Sequence, residues 1–498
     1  MLTSVAQGTY VKPDNSRDLS MYYEKLDLLI NGEFCQGSEG KSEAVINPAT
    51  EEEIARVPHA SRDDIERALT SSAEGFKVWK ATPAIQRQQV MHKAADLMQE
   101  RIEMMARCLT LEMGKPLAES RIELQFAIDV TRWYGEEGKR AYGRLIPPRV
   151  PGVRQMVVKE PIGPCCAFVA WNFPANNSIR KIAGALGAGC SMLIKPSEET
   201  PGTAMGIAQC FQDAGLPPGV LNMVFGVPDE VSRQVLGSWI PRKLSFTGSI
   251  PVGKHLQQLA AETLKRCTME LGGHAPVIVF DDASLDKALD AMAGFKYRNA
   301  GQVCISPTRF YVQKGVYKDF VKGFTERSNN IKLGNGLEDG VDMGPLIAER
   351  RLEVMEDFVS DAVGHGAKLE TGGQRPTNRG YFYSPTVLSE VPDDAKIMSE
   401  EPFGPLSPIT PFDTMNEVID RANSLPFGLS SYVFTNYGAK AAAIGDALES
   451  GMVGVNHAMV STPESPFGGV NESGYGSEGG IEGLDVFLRT KFITETGV

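Results

Sequence analysis

Cys304 is the side chain in this sequence best placed to act as a nucleophile. It ends the stretch YRNAGQVC, a polar loop in which Gly301 and Gln302 precede the thiol and Arg298 lies six residues upstream. A thiol on such a loop can be reached, and reactive thiols prefer partly exposed, electropositive surroundings. A lone cysteine is more often a small packed side chain, so the residue alone leaves both interpretations open.

Two other side chains could take part in covalent chemistry. Glu270 ends the segment TME and precedes Gly272 and Gly273, so it is either a general base or a strand-end carboxylate that caps a turn. Asn172, in AWNFP, carries an amide that can donate to an oxyanion or merely support a turn.

Further segments are suited to binding phosphate and ribose. FTGSIPVG places Gly248 and Gly253 after a predicted strand and at the head of a helix, where free N–H groups and the helix dipole favour an anion. The segment lacks the GKS/T ending of a nucleotide-hydrolysing loop. LIKPSEE places Lys195 and Glu198 just past another predicted strand, as surface charges or as ligands of ribose hydroxyls.

Charge and composition exclude several classes of function. The 498 residues carry 50 Lys and Arg against 62 Asp and Glu, a net charge of −12 that disfavours binding to nucleic acid. The eight cysteines and six histidines show no metal-ligand spacing, so we expect no metal site and reduced thiols. The N-terminal residues MLTSVAQGTYVKPDNSRDLS lack a signal-peptide layout and no long apolar run occurs, which predicts a cytoplasmic protein without a membrane span.

The order of the predicted elements favours an α/β protein. Residues 61 to 142 have helical periodicity, with a capping box at Ser61 and Asp64 and a second helix start at Thr82-Pro83. From Pro164 short apolar runs alternate with helical ones, which indicates βαβ units and a parallel sheet. A second such cycle begins near Glu270, so two α/β domains with a cleft between them are expected.

Two segments interrupt this pattern. Residues 143 to 160 contain prolines and β-branched residues typical of a protruding hairpin, and DVFLRTKFIT near the C-terminus has the composition of a strand. Both could belong to a contact between subunits.

Nine short motifs in a fixed order resemble the NAD(P)-dependent aldehyde dehydrogenase superfamily along essentially the whole chain. They are NPAT, LEMGKP, WNFP, KPSE, FTGS, MELGG, GQVC, EEPFGP and PFGG. The resemblance implies an α/β fold with a Rossmann-like cofactor domain (1–140 and 160–270), an α/β catalytic domain (271–475) and a small bridging β element for oligomerisation (141–159 and 476–498). It also implies a homodimer or homotetramer.

The resemblance assigns roles to the residues singled out above. Cys304 would be the nucleophile and Glu270 the base that hydrolyses the resulting thioester, which favours hydrolysis over transfer to coenzyme A. The Asn172 amide and the Cys304 backbone N–H would form the oxyanion hole. The positions implied for the cofactor are Trp171, Lys195, Ser197, Glu198, Gly248, Ser249, Gly253, Glu401 and Phe403. A carboxylate at Glu198 favours NAD, although Lys195 could partly offset its repulsion of the 2′-phosphate of NADP.

Within the superfamily, the sequence is most similar to succinate-semialdehyde dehydrogenases. Arg180, Arg298 and Ser461 match that group's carboxylate-binding positions, where two guanidiniums and a hydroxyl would hold the far end of a short ω-oxo acid. Arg298 could also favour the thiolate form of Cys304. The alternatives are another aliphatic, aromatic or longer aldehyde and, more remotely, a catalytically silent scaffold. Ser306 stands where some relatives carry a second cysteine, so a disulfide in this loop is not expected.

Overall fold

The computed structural model describes residues 25–497 of the chain. The prediction that residues 1–20 carry no signal peptide therefore lies outside the described residues, as does the first part of the segment 1–140. Within residues 25–497, no helix is both long and apolar enough to cross a membrane.

The helices cluster before the first parallel sheet and then alternate with strands. Their bounds are α1 (Arg62–Ala81), α2 (Ala84–Glu100), α3 (Ile102–Met113), α4 (Leu117–Glu137), α5 (Pro174–Ala188), α6 (Pro201–Asp213), α7 (Pro228–Gly237), α8 (Ile250–Ala261), α9 (Leu285–Tyr297), α10 (Tyr317–Asn329), α11 (Glu349–Gly364), α12 (Lys396–Ser399), α13 (Met415–Ala422), α14 (Gly438–Ala447) and α15 (Glu482–Asp485), with a 3₁₀ turn at Arg298–Gly301.

The first sheet is a twisted, mostly parallel sheet with antiparallel edges. Its strands are β1 (Leu28–Ile30), β2 (Glu33–Cys35), β7 (Cys165–Phe168), β8 (Met192–Lys195), β9 (Leu221–Met223), β10 (Lys243–Gly248), β11 (Arg266–Leu271) and β21 (Gly474–Tyr475), in the spatial order β2-β1-β9-β8-β7-β10-β11-β21. The chain proceeds from β7 outward to β9 and then returns to the other side of β7 at β10. The crevice beyond the carboxyl ends of β7 and β10 is therefore the switch point at which ligands bind in such sheets.

The second sheet has the same parallel character. Its strands are β12 (Ala275–Val279), β13 (Pro307–Gln313), β14 (Lys368–Thr371), β15 (Thr386–Ser389), β16 (Leu406–Phe412), β18 (Ser430–Phe434) and β19 (Met452–Val455), in the order β14-β15-β16-β13-β12-β18-β19. The two sheets have separate apolar cores. A short apolar cluster that includes Phe173, Val303 and Leu429 joins them beside Cys304.

The remaining strands form small antiparallel sheets. They are β3 (Ser42–Asn47) with β4 (Glu52–Pro58), β17 (Phe427–Gly428) with β20 (Val470–Asn471), and β5 (Arg144–Ile146) with β6 (Val153–Pro161) and β22 (Leu488–Thr496). The last of these sheets brings together the predicted hairpin and the C-terminal strand, and Leu145 and Phe492 on it are exposed.

Two predicted element boundaries were wrong. Helix α2 begins at Ala84 with Pro83 as its N-cap, because the N–H of Thr82 still bonds to carbonyls of α1 and Thr82 closes that helix. The C-terminal strand begins at Leu488, since Asp485 is the last residue of α15. The capping box at the start of α1 was predicted and is present.

The Asp64 carboxylate organises that helix start. It accepts the backbone N–H groups of Ser61 and Ser38, each at 2.9 Å, and the side chain is buried. Asp64→Ala would leave these donors without their partner, so we expect the free energy of unfolding to fall by about 2 kcal/mol. Asp63→Ala, which removes an exposed neighbouring carboxylate in the same turn, is the matched control. Denaturant titration measures both, and equal small losses would contradict the assigned role.

Candidate active site

A strained turn presents the Cys304 thiol. Asn299, Ala300 and Gly301 have successive left-handed φ values of 49°, 54° and 73°. Only glycine adopts this region freely, so the asparagine and the alanine need support from their surroundings. The backbone N–H of Asn299 donates to Glu119 at 2.9 Å, and the Gln302 side-chain amide donates to the Asn299 carbonyl at 3.1 Å.

The Asn172 loop packs directly against this turn. The Asn172 side-chain amide donates to the Gln302 backbone carbonyl at 3.2 Å, and the Asn299 side-chain amide donates to the Asn172 backbone carbonyl at 2.9 Å. Asn177 donates to Asn172 Oδ1 at 3.1 Å, which fixes the direction of the amide N–H bonds. Nδ2 therefore keeps one N–H that is not used for the Gln302 bond. Among residues 25–497, no hydrogen bond engages the backbone N–H of Cys304.

A buried ion pair holds the Asn172 loop from behind. Lys115 Nζ donates to Glu123 at 2.6 Å and to the Asn172 carbonyl at 2.9 Å. The same ammonium lies 3.8 Å from the centre of the Phe173 ring. Glu123 also accepts the backbone N–H of Ala175 at 2.9 Å, at the start of α5. Because both charges are fully buried, removal of either partner would leave the other uncompensated.

Burial sets the charge of the two reactive side chains. The pKa of Cys304 is raised well above its usual value by burial and by the carboxyl groups of Glu270 and Glu401. Arg180 opposes this increase. The sequence did not indicate Arg180 for this role, and the predicted effect of Arg298 on the thiolate stays a prediction.

Glu270 is a carboxyl group poised to act as a base in weakly alkaline solution. Burial and the neighbouring Glu478 raise its pKa to about 8, and Lys181 and Arg180 oppose this increase. Lys181 Nζ donates to Glu478 at 2.5 Å and to Thr247 at 2.6 Å, so a second buried ion pair lies beside the base.

One cavity collects the predicted substrate residues. A pocket of about 140 Å³ is lined by Cys304, Glu270, Arg180, Arg298 and Ser461 together with phenylalanine side chains. The Arg180 guanidinium donates to Ser461 Oγ at 2.8 Å.

Each arginine of this pocket lies between two aromatic rings. The Arg180 guanidinium is 5.1 Å from the centre of Phe126 and 4.6 Å from that of Phe467. Arg298 lies 4.9 Å from Phe173 and 6.0 Å from Phe295 in the same way. Cation–π contacts of this kind fix the direction of a cation without neutralising it. Among residues 25–497, neither arginine has a carboxylate within ion-pair distance.

A second cavity, of about 310 Å³, meets the first at Cys304 and Glu270. Of the predicted cofactor residues, it is lined by Trp171, Gly248, Ser249, Glu401 and Phe403. The rings of Trp171 and Phe403 meet edge to face, with their centres 5.6 Å apart. Gly248 ends β10 and Ser249 is the N-cap of α8, with no side-chain hydrogen bond at that cap. The free N–H groups at this helix start are suited to a phosphate.

The other predicted cofactor residues lie apart from this cavity. Lys195 donates to Glu198 at 2.7 Å, and Glu198 also accepts the Gly226 N–H at 2.9 Å. Glu198 lines a smaller pocket of about 130 Å³. Ser197 donates to Glu199, which lines that smaller pocket as well. Gly253 lies inside α8, where a Cβ would stand 2.5 Å from a methyl group of Leu271, so its role here is close packing.

Several charged residues around the site were not predicted from the sequence. They are Lys115, Glu123, Lys181, Glu478 and Arg351. Lys181 lies beside Arg180 in α5, which is buried along almost its whole length. Among residues 25–497, no cluster of three or more potential metal ligands occurs.

Comparisons with known proteins identify the family. The profile of the Aldehyde dehydrogenase family matches residues 34–493. The chain belongs to this family. It is 44% identical over 474 residues to a putative 4-(hydroxymethyl)benzenesulfonate dehydrogenase of Comamonas testosteroni, covering 95% of this chain and 99% of that relative. It is 42% identical over 474 residues to the 3-sulfolactaldehyde dehydrogenase of Pseudomonas putida, covering 95% and 98%.

Solved structures of the family share the fold. The crystal structure of succinate-semialdehyde dehydrogenase from Burkholderia pseudomallei superposes with a TM-score of 0.94 at 38% identity, covering 98% of this chain and all of that one. The predicted α/β class and aldehyde dehydrogenase-like fold are therefore confirmed, and the chain is an aldehyde dehydrogenase that uses NAD or NADP.

The charge of Glu478 gives a test of the electrostatics around Glu270. Because Glu478 raises the pKa of Glu270, Glu478→Gln should lower it and move the rise of kcat with pH from near 8 toward neutrality. The sign follows from the charge, since removal of a nearby anion makes the carboxylate form of Glu270 easier to reach. The measurement is kcat between pH 6 and 9 with saturating cofactor. Glu472→Gln, in an exposed ion pair with Lys254, is the control, and an unmoved profile in Glu478→Gln would contradict the coupling.

Proposed function

We propose that this protein oxidises an aldehyde with an anionic group at its far end to the corresponding carboxylic acid, with NAD as the preferred cofactor. The observation that carries this proposal is the pair of guanidiniums in the cavity that ends at Cys304, neither of which has a carboxylate within ion-pair distance among residues 25–497. Arg180 is buried and Arg298 is partly buried, so the pocket is suited to a ligand that brings a negative charge.

The donors of this pocket fit a carboxylate or a sulfonate. Ser461 Oγ accepts from Arg180, which leaves the hydroxyl hydrogen free to donate to a ligand. Arg298 lines the same pocket from the start of the turn that leads to the thiol. The relatives support this class, because two are named for sulfonated compounds and one for succinate semialdehyde. Succinate semialdehyde and its sulfonate analogue are therefore the first compounds to test.

An aromatic aldehyde is the second candidate. Four phenylalanine rings line the same cavity, and one of the relatives is named for a benzenesulfonate. The rings lie against the arginines in this structure, and the same surfaces could flank an aromatic substrate. A one-carbon-longer semialdehyde is also compatible, because one methylene changes the transfer free energy by only about 0.8 kcal/mol.

The residues at the junction of the two cavities account for the covalent steps. Glu270, in its carboxylate form, takes the proton of the Cys304 thiol and passes it to solvent. The resulting thiolate bonds to the aldehyde carbon, and the developing oxyanion is held by Asn172 Nδ2–H and the Cys304 backbone N–H. After oxidation the acyl group remains on Cys304 as a thioester. Glu270 takes a proton from water, the hydroxide adds to the thioester carbon, and the bond from carbon to sulfur breaks to release the acid and the thiolate.

The cavity of about 310 Å³, which Trp171 and Glu401 line, has the features that NAD requires. Gly248 lines this cavity at the open start of α8, and a Cβ there would stand 2.4 Å from the Phe246 ring, so the position requires glycine. Trp171 and Phe403 offer apolar surface, and Glu401 offers an acceptor for hydroxyl groups. When bound there, NAD accepts the hydride that oxidation removes from the aldehyde carbon.

The pocket of about 130 Å³ that Glu198 lines supports NAD over NADP. It is lined by Glu43, Glu198 and Glu199, with Arg350 paired to Glu199 at 2.6 Å. Lys195 is already bound to Glu198 at 2.7 Å, so it is not free to neutralise a 2′-phosphate. Three carboxylates at the expected position of the adenosine ribose would repel that phosphate.

We propose, in addition, a homodimer or homotetramer in the cytoplasm. The sheet of β5, β6 and β22 presents exposed Leu145 and Phe492, which suits a contact with a second copy. All eight cysteines are free of disulfides, as expected of a reducing compartment. Light scattering after size exclusion tests the assembly.

Arg298→Met separates the anion clamp from the chemistry. We expect kcat/KM for succinate semialdehyde to fall about 100-fold, which corresponds to the loss of one charge-assisted contact of about 2.7 kcal/mol, while butanal turnover changes less than threefold. Arg180→Ala is less suitable, because Arg180 also affects the pKa of Cys304 and of Glu270. NADH formation measures the rates, Arg327→Met on the surface is the control, and Cys304→Ala gives the inactive baseline. Equal losses for both aldehydes would show that Arg298 does not bind the anion.

The two anion types are compared with matched substrates. Succinate semialdehyde and 3-sulfopropanal have the same carbon spacer and differ only in the terminal group. We expect kcat/KM for each to exceed that for butanal by at least 10-fold, because either anionic group would pair with the guanidiniums. Ser461→Ala should reduce both, and Ser465→Ala, in the same loop, is the control. If butanal or benzaldehyde is the best substrate of the wild type, the proposed anionic substrate class is wrong.

A further inference from the structure

Glu401 and Phe403 lie in one short turn and line the cofactor cavity, which Cys304 also lines. Phe403 has a φ of 46°, a region that a bulky side chain adopts only when its surroundings hold it. Glu401 lies two residues earlier, and both side chains line the cavity. The next residue, Gly404, contacts the turn Asn299–Gly301 that precedes Cys304, because a Cβ on Gly301 would stand 2.1 Å from the Gly404 carbonyl oxygen. The conformation of this turn therefore affects both the cofactor and the thiol.

Arg351 is the side chain that fixes this turn. It lies in the first helical turn of α11, and its Nη2 donates to the carbonyls of Pro402 at 2.5 Å and Phe403 at 3.3 Å. Its guanidinium also lines the cofactor cavity beside Glu401, and its buried Nε has no hydrogen-bond partner within the described part of the chain. A single cation thus holds two successive carbonyls of a strained segment and faces the carboxylate at the start of that segment.

We propose that Arg351 is a positioning residue for the cofactor, which holds the turn 401–403 so that the Glu401 carboxylate and the Phe403 ring face the nicotinamide half of the cofactor. This inference rests on the proposed function, because it takes the larger cavity as the site of NAD. Arg351 would act through its hydrogen bonds to the backbone carbonyls of the turn and not through contact with the reacting atoms.

The charges around Glu401 give this role a second consequence. Burial and Glu270 raise the pKa of Glu401 to about 8, and the cations that oppose the increase are Arg351 and Lys296. Cys304 also faces Glu401, and the backbone N–H of Gly273 donates to its carboxylate at 3.4 Å. Loss of the Arg351 charge would raise the pKa of Glu401 further and leave a poorer acceptor for ribose hydroxyls over a wider range of pH.

Binding of NADH and of AMP to the purified protein tests this role without catalysis. The variants are Arg351→Met, which keeps an unbranched apolar stem without the charge, and Arg351→Lys, which keeps the charge. Arg375→Met is the matched control, because Arg375 forms an exposed ion pair with Glu356 of the same helix. Isothermal titration at pH 6.5 and 8.5 gives the Kd values, and AMP probes only the adenosine half of the site.

For Arg351→Met we expect the Kd of NADH to rise about 10-fold and that of AMP to change less than twofold. The ratio of the mutant to the wild-type Kd of NADH should be larger at pH 8.5 than at 6.5, because the wild-type Glu401 is already largely protonated at the lower pH. Arg351→Lys should restore the pH dependence but only part of the affinity, since the lysine ammonium ends one bond short of the position of Nη2, which donates to both carbonyls.

The outcomes separate this inference from the proposed function. If Arg351→Met binds NADH as the wild type does, the positioning role is wrong while the cofactor site stands. If NADH and AMP weaken together in Arg351→Met, the residue supports the fold as a whole, and the positioning role is again wrong. If the wild type binds neither NADH nor NADPH, the proposed function itself fails.

Discussion

The left-handed turn before Cys304 is the constraint on which the site depends. Three successive residues, Asn299 to Gly301, adopt a conformation that only glycine tolerates without support. The support comes from outside the turn, from Glu119 and from the Asn172 loop. The Asn172 side-chain amide in turn donates to the carbonyl of Gln302, the residue that follows the turn. Nucleophile and oxyanion donor are thus fixed by one network and cannot move independently.

Buried charge is the second organising feature. Two buried ion pairs lie near the two arginines of the proposed substrate pocket. Lys115 with Glu123 and Lys181 with Glu478 are buried and bonded at 2.6 and 2.5 Å. Among residues 25–497, Arg180 and Arg298 have no such partner, and they lie against aromatic rings instead. In a region of low dielectric, paired charges stabilise their surroundings, while unpaired ones create an affinity for a ligand of opposite sign. The contrast separates the supporting frame from the proposed substrate pocket.

The two cavities meet at Cys304 and Glu270 because of the topology of the sheets. The carboxyl ends of β7 and β10 flank the switch point of the first sheet, and the loop into β13 brings the thiol from the second sheet to the same place. Loops at such edges have free backbone N–H groups and no side-chain layer above them. Each sheet contributes one part of the site, and the cleft between their separate cores provides the space.

The sequence by itself determined the repeating α/β order, the capping box at Ser61 and the family, because short-range periodicity and ordered motifs are local properties of the chain. It also singled out Cys304, Glu270 and Asn172 by residue type. Only the tertiary structure decided that Arg180 opposes the rise in the Cys304 pKa, and that Lys195 is bound to Glu198. It alone revealed Lys115, Lys181 and Arg351 near the site. The physical reason is that pKa shifts and ion pairs depend on distances between segments far apart in sequence, which local patterns do not encode.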